Sequence, residues 1–531
     1  MTSIVLTTLN ARYSHASLAL RYLQANLKEY ENDSTIVEFT IKSNPADVVE
    51  RLLAQSPRVI GFGVYIWNVH QTTQVIEHIR QVAPDIRLVV GGPEVSHDLD
   101  GLELVNHVDH IVQGEGESSF YRICQESFNG KAAQKSEMRG ALPVLSATQE
   151  PPDRLDDSGP RVWRSELPEL TELHLPYAKY TDDDIAHRNI YVEASRGCPF
   201  RCQFCLSSLD KQVRQFPLED LFDAFQALID RGARTFRFID RTFNLKPSVS
   251  EKILRFFLEQ SATDFFLHFE MVPDRFPSEL RDLILQFPPG AVQFEIGIQT
   301  TNAKVAALID RRMDLAATQQ NLAFLTQQTN VHIHADLIVG LPGEDRSSFF
   351  QGFDWLYGQR PHEIQVGVLK KLRGAPIARH EDTFEMVFSE SAPYEIMSTK
   401  DIDSNGMIAL KRFARYWDLY GNSGRFTKGL ALVLQGAESP AAVFARFSEF
   451  SYERMRTLHG LSLLDLVENI FVFAVQNLGV KADVVQGALA EDYTKDSPRP
   501  LPGFLKGAKV NVDRRSYETL GGQQRQNRHR A

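Results

Sequence analysis

Two tracts of this chain alternate short apolar runs with amphipathic stretches, and that alternation limits the fold more than any other feature. Within residues 1–128 the runs Ile4–Leu9, Val59–Tyr65, Leu88–Val90 and Ile111-Val112 read as strands. Leu18–Tyr30 and Thr72–Ala83 read as helices, the second closed by Pro84. Strands alternating with helices imply an open, parallel α/β sheet. Such sheets bind ligands at the C-terminal ends of their strands. Here those ends carry Gly91-Gly92-Pro93-Glu94 and Gly114-Glu115-Gly116-Glu117, where backbone can approach a ligand closely. Gly61-Phe62-Gly63 lies within a strand and lacks the third glycine and acidic residue of a dinucleotide fingerprint.

The second tract, residues 189–380, has candidate strands at Ile190–Ala194, Thr235–Ile239, Phe266–Met271, Gln293–Ile298, His332–Val339 and Glu363–Leu369. Leu218–Arg231 and Ser250–Gln260 are helical stretches between them. Six such units suit a partial (β/α)6 barrel better than a flat sheet, and a parallel barrel does its chemistry at the C-terminal strand ends. Residues 129–188 hold Pro143, Pro151, Pro152, Pro160, Pro168 and Pro176 and read as a connector. Residues 381–531 lose the strand rhythm. Met407–Tyr420, Ala441–Phe450 and Leu463–Asn477 predict a mainly helical C-terminal domain, with a polar, disordered tail over Gly521–Ala531. The expected fold class is α/β: a Rossmann-like domain, then the barrel, then helices.

Composition supports this plan. At roughly 150 residues per domain, 531 residues give about three domains. Hydrophobic residues at 43% and charged residues at 24% exclude a disordered chain, collagen or a long coiled coil. The net charge of −10 argues against coating nucleic acid by bulk charge, and no nucleic-acid module is recognisable. The N-terminus has no basic segment before Ile4-Val5-Leu6. No apolar stretch approaches the roughly 18 residues of a membrane span. A cytoplasmic protein with no membrane partner is expected.

Four cysteines are too few for a disulfide scaffold. Three of them fall in the segment EASRGCPFRCQFCLS, as Cys198-x-x-x-Cys202-x-x-Cys205, just after the first barrel strand. Three thiolates on one loop can hold three irons of a [4Fe–4S] cluster and leave the fourth open to a substrate. A structural zinc would want a fourth ligand nearby, and none follows. Three inert core cysteines is the plain alternative. Cys124, in an amphipathic helix, reads as a small core residue.

This loop resembles the CxxxCxxC signature of the radical S-adenosylmethionine (SAM) enzymes. Further segments resemble that family in the same order. Phe204 takes the aromatic place near the SAM adenine. Phe238–Asn244, with Asp240, Thr242 and Asn244, resembles the second-strand segment beside the SAM methionine. Glu295–Thr300, with Gln299, resembles the fourth-strand ribose motif. Asp336–Glu344, with Gly340, Leu341 and Pro342, resembles the fifth-strand motif that contacts adenine. The resemblance implies reductive cleavage of SAM at a [4Fe–4S] cluster to a 5′-deoxyadenosyl radical. It also implies a one-electron donor such as flavodoxin or ferredoxin.

The N-terminal tract resembles the cobalamin-binding domain that precedes the barrel in a large subgroup of that family. The resemblance implies a cofactor tail against Gly91, Gly92, Pro93, Glu94, Gly114, Glu115 and Gly116. The Asp-x-His-x-x-Gly motif, whose histidine binds cobalt from below, is absent. His15 and His70 are the histidines considered in its place, each also readable as an ordinary loop residue. The implied activity is methyl transfer to an unactivated carbon. The alternatives are a non-methylating rearrangement or cyclisation, or a non-catalytic iron–sulfur sensor. The sequence names no substrate, small-molecule or macromolecular.

Overall fold

The computed structural model describes residues 3–129, 153–154, 159–262, 264–497, 499–507 and 524–529. Strands β1 (Ile4–Asn10), β2 (Ser34–Thr40), β3 (Val59–Gly63), β4 (Arg87–Gly91), β5 (His110–Gln113), β6 (Asp153–Arg154) and β7 (Arg161–Arg164) form one sheet. Its order is β2-β1-β3-β4-β5-β7-β6. All pairs are parallel except β6 with β7. The interior strand β1 is buried along its whole length, polar Thr7, Thr8 and Asn10 included, as expected where helices cover both faces.

Three strands of this sheet, β2, β6 and β7, were not anticipated. β2, with sequence STIVEFT, is only half apolar because it lies at the sheet edge beside β1. β7 comes from the proline-rich stretch read as a connector, and it pairs with β5 from His110↔Arg161 to Gln113↔Arg164. Buried Val162 and Trp163 explain it: two adjacent apolar residues are enough to extend a sheet whose neighbour is already buried. Pro143, Pro151 and Pro152 lie outside the described residues.

The second sheet contains β8 (Ile190–Val192), β11 (Thr235–Phe238), β12 (Phe266–Met271), β13 (Val292–Gln299), β14 (His332–Val339) and β15 (Glu363–Val368). Its order, β15-β14-β13-β12-β11-β8, is that of an open, all-parallel, six-stranded barrel wall. Between β8 and β11 the short strands β9 (Ser195–Arg196) and β10 (Arg214–Gln215) pair antiparallel and close the base of the cysteine loop. The barrel core is aromatic. Phe225, Phe236, Phe238 and Phe269 are almost wholly buried, and the Phe238 and Phe269 rings stack 4.7 Å apart.

After β15 come a hairpin, β16 (Val387–Phe388) with β17 (Ile396–Ser398), and a helical region. Its main helices are Ser404–Tyr420, Thr427–Leu434, Pro440–Met455, Leu463–Val472 and Ala482–Thr494. The tail departs from expectation. Gln524–Arg528 is a helix, and Arg525 makes ion pairs with Glu363 at 2.7 Å and Asp418 at 2.8 Å. Carboxylates distant in sequence thus hold a segment whose composition reads as solvated. Gly521–Gln523, Arg530 and Ala531 lie outside the described residues. No described helix is long and apolar enough to cross a membrane.

Candidate functional site

The cysteine loop leaves β9 and returns through β10. Gln203, buried between the cysteines, locks it from several sides. Its backbone N–H donates to Ile309 O at 3.1 Å, and its carbonyl accepts from Ile377 N at 2.8 Å. Its side chain donates to Asp310 and meets His380 at 2.6 Å. The Cys198 N–H donates to Asp210 O at 2.8 Å. The Arg311 guanidinium reaches Cys202 Sγ at 3.6 Å and also donates to the Gly297 carbonyl. Burial pushes the Cys198 thiol up from its ordinary pKa.

Cys198, Cys202 and Cys205 line one pocket of about 200 Å³. Among the described residues no three His, Cys, Asp or Glu side chains converge tightly enough to hold a single ion. Thiolates on one zinc would sit within roughly 4 Å of each other. The three thiols instead share the wall of a space large enough for a bigger body.

Phe204, Thr242 and Gln299 line the same pocket, together with Arg241, Glu270, Glu295, Arg311 and Asp336. A register shift between Gly297 and Gln299 breaks the β13–β14 ladder, and Gln299 has φ +70°. Such a bulge re-aims a side chain. Gln299 Oε1 and Asp336 Oδ1 are buried with no hydrogen-bond partner among the described residues. Burial and neighbouring Glu295 and Glu270 raise Asp336 well above the carboxylate range. Burial pushes Glu270 up to about 7 despite Arg241. Burial opposes the charge on Glu295 as well, but the hydrogen bond to His268 and nearby His334 hold it low.

The other expected residues lie behind the pocket. Asp240 is buried and accepts from Ala194 N at 2.9 Å and from the Ser195 hydroxyl. Asn244 bonds both ways with the Val272 backbone, at 2.8 and 3.0 Å. Leu341 and Pro342 are buried, and Gly340 packs beneath Ile396 and Met407. Glu270 was missed as a site residue, and Glu295 and Asp336, which open the fourth- and fifth-strand segments, were not singled out within them. Their signal was present: charged residues at alternate positions of otherwise apolar strands.

A second cavity, of about 640 Å³, opens at the ends of β3, β4 and β5. Gly91, Gly92, Pro93, Gly114, Glu115 and Gly116 line it. Gly92 has φ +107°, and a Cβ there would sit 2.6 Å from Val64 O. A Cβ on Gly61 would sit 2.8 Å from the Phe120 ring. Glu94 does not line the cavity; it is buried against Arg373 and Tyr394. Neither His15 nor His70 lines it. His15 pairs with Tyr191, and exposed His70 meets Gln74. His97, overlooked in the sequence, does line it.

The far wall of this cavity belongs to the barrel: Glu193, Arg196, Leu206, Ser207, Leu209, Asp210 and Ile239. Ser207 lines both spaces. Arg196, two residues before Cys198, pairs with Glu117 and Glu193, each at 2.9 Å, and with Glu115. Arg214 also pairs with Glu115. The glycine-rich strand end is therefore ion-paired to both strands that bound the cysteine loop.

Two family models fall on these two halves. Residues 4–123 match the B12 binding domain, and residues 192–356 match the radical SAM superfamily. The chain carries a B12 binding domain followed by a radical SAM domain. The chain is 25% identical over 333 residues to 2-(S-pantetheinyl)-carbapenam-3-carboxylate methyltransferase of Streptantibioticus cattleyicolor, covering 60% of this chain and 48% of the relative. It is 24% identical over 340 residues to the cobalamin-dependent radical SAM methyltransferase TokK of Streptomyces tokunonensis, with the same two coverages. The chain thus spans about half the length of these curated relatives.

Two solved structures share the fold. The cobalamin-dependent SAM radical enzyme OxsB, with aqua-cobalamin and SAM bound, aligns with TM-score 0.57 and 13% identity, over 93% of this chain and 84% of its own. The radical SAM methyltransferase TsrM from Kitasatospora setae aligns with TM-score 0.56 and 15% identity, over 71% and 75%. Residues 382–530 match a family described only as a protein of unknown function, DUF4080.

The cofactors of such a protein are a [4Fe–4S] cluster, SAM and cobalamin, and the residues present fit them. Three thiols line one pocket with no fourth cysteine among the described lining residues, the adjoining buried Asp336 and Gln299 oxygens lack hydrogen-bond partners, and the larger cavity has glycines where side chains would fill it. Cys124 takes no part. It is fully buried, and burial pushes its thiol up to about 12.

Proposed function

We propose that this radical SAM enzyme transfers a methyl group to an unactivated carbon. The observation that carries the reading is that Ser207, two residues from Cys205, walls both the cysteine pocket and the large cavity. A substrate held beside that residue reaches both. When bound, the cluster with SAM supplies a 5′-deoxyadenosyl radical, and cobalamin supplies the methyl group.

In this reading Cys198, Cys202 and Cys205 each hold one iron, and Gln203 fixes their loop. The Arg311 guanidinium favours electron arrival by stabilising added negative charge near Cys202. Phe204, Thr242 and Gln299 border the nucleoside sulfonium. Glu270, Glu295 and Asp336 offer acceptors for an ammonium group and ribose hydroxyls. Asp240, Asn244, Gly340, Leu341 and Pro342 hold the strand ends from behind. Gly91, Gly92, Pro93, Gly114 and Gly116 leave room for the cobalamin tail, and Glu115 ties that strand end to the barrel. A small one-electron donor such as flavodoxin or ferredoxin supplies the electron. The substrate class stays open.

The test is anaerobic reconstitution with iron, sulfide and cobalamin, then product analysis with SAM labelled at its methyl group and a one-electron reductant. The reading expects 5′-deoxyadenosine together with label in a carbon-methylated product from a cell-extract substrate pool. Formation of 5′-deoxyadenosine with no label transferred overturns methyl transfer. A bound cluster with no SAM cleavage overturns the enzyme reading of the site.

A further inference from the structure

The region that matches a family of unknown function begins with a hairpin that reaches past the barrel to the N-terminal sheet. The hairpin lies along the chain that leaves β15. Ile396 N donates to Leu369 O at 2.9 Å, and Lys371 N donates to Tyr394 O at 3.0 Å. Ile396 is fully buried. A Cβ on Gly340, at the end of β14, would sit 2.6 Å from Ile396 and 3.1 Å from Met407. The hairpin is thus packed on a barrel strand end with no spare volume.

Its tip carries Tyr394, and the Tyr394 hydroxyl donates to the Glu94 carboxylate. Arg373, on the loop after β15, donates from Nε to the same Glu94 oxygen at 3.2 Å and to the Tyr394 oxygen at 3.1 Å. Arg373 also grips the Asp100 carbonyl at 2.8 Å. Tyr394 and Glu94 are buried, and Glu94 is only 3% exposed. A buried carboxylate held by one guanidinium and one phenol is costly to leave unpaired.

Glu94 is the fourth residue of Gly91-Gly92-Pro93-Glu94. Its backbone N–H points to Val64 O at 3.4 Å, on the far side of the turn. Gly91, Gly92, Pro93, Ser96 and His97 line the large cavity, while Glu94 and Tyr394 do not. Gly374, beside Arg373, is pressed against His97, and a side chain at residue 374 would collide with it. One wall of the cavity is therefore held from behind by residues some 280 to 300 positions later in the chain.

We propose that the hairpin is a clasp on the cobalamin cavity. Tyr394 and Arg373 are positioning residues that hold Glu94, and through it the wall from Gly92 to His97, in the shape the corrin cofactor requires. The proposal rests on the cobalamin reading above and gives the C-terminal region a role in that site. Binding and clasp closure are then linked, and each strengthens the other.

The test measures cobalamin affinity by absorbance titration of the full chain with its cluster reconstituted. It is paired with hydrogen exchange over residues 385–398, with and without cobalamin. Tyr394→Phe and Glu94→Ala should each weaken cobalamin at least about fivefold, with Glu94→Gln falling between them and wild type. Cluster absorbance and thermal midpoint should stay near wild type in Tyr394→Phe. Arg412→Ala, which breaks an ion pair with Glu449 elsewhere in the helical region, should leave affinity unchanged. Cobalamin should slow exchange in the hairpin. Equal affinity in all variants, or hairpin exchange indifferent to cobalamin, overturns the clasp and leaves the cofactor reading intact. A wild-type chain that binds no cobalamin overturns both.

Discussion

The pocket under the cysteine loop and the cavity at the sheet ends meet at one serine, yet they are built from opposite materials. Glu270, Glu295, Asp336, Arg241 and Arg311 crowd the first, some with polar atoms lacking partners. Glycines, Val89, Val90, Leu20 and Phe120 shape the second. A charged pocket selects by hydrogen bonds and ion pairs, which are strong when made and costly when unmade. A glycine-lined cavity selects by shape, because added atoms must displace something. The small, charged cofactor fits the first logic and the large, amide-fringed one the second.

The sharpest way to break the comparison is at the cysteines. Cys198→Ala, Cys202→Ala or Cys205→Ala should abolish the broad absorption near about 400 nm and all SAM cleavage, while cobalamin still binds. Cys124→Ala should keep the absorption. Equal loss at Cys124 would mean a different ligand set.

Filling the other space comes next. Gly116 lines the large cavity, where a Cβ would meet Leu23 at 3.3 Å and Val112 at 3.4 Å. Gly116→Phe should weaken cobalamin by roughly 10- to 100-fold, about 1–3 kcal/mol of overpacking. The cluster spectrum should not change. A tolerated phenylalanine would show that the cofactor lies elsewhere.

A polar deletion should have a smaller effect. Gln299→Ala removes an amide whose buried oxygen has no hydrogen-bond partner among the described residues. It should raise the Kd for SAM by roughly three- to tenfold, on the scale of one net hydrogen bond of about 1 kcal/mol. Cobalamin titration is the control, and it should be flat. Affinity for SAM unmoved by this change would place the nucleoside away from β13.

Acidity should separate the two spaces most gently. Burial raises Glu270 to about 7, so it is mostly neutral at pH 6 and mostly ionised at pH 8. A cationic ligand binds the ionised form better. SAM affinity should therefore rise severalfold from pH 6 to 8 in wild type, by linkage, and rise less in Glu270→Gln. Cobalamin affinity should show no matching slope. An unchanged slope in Glu270→Gln assigns the titration to another group.

The sequence made much of the frame legible. The barrel strands were readable because apolar residues recur through each of them between helical stretches, and the cysteine spacing announced its own loop. Strand β7 was hidden because two buried residues, Val162 and Trp163, are too short a run to see among prolines. Glu94 stood in the expected glycine-rich motif, but its partners lie nearly 300 residues away, and no local pattern records such a pairing. Arg196 and Glu115 were equally invisible as a pair. Asp240 and Asn244 were singled out by motif, and their side chains are spent on backbone groups and the Ser195 hydroxyl.

Ser207 also bears on how the protein matures. Leu206, Ser207 and Leu209 wall the large cavity, yet they belong to the loop that carries the cysteines. Gln203 and the β9–β10 pair hold that loop without iron, so the wall it lends the large cavity stands before either cofactor arrives. Biogenesis then has no obligatory order. Cells starved of iron would accumulate a chain that still retains vitamin, and vitamin-starved cells would make one with its cluster in place.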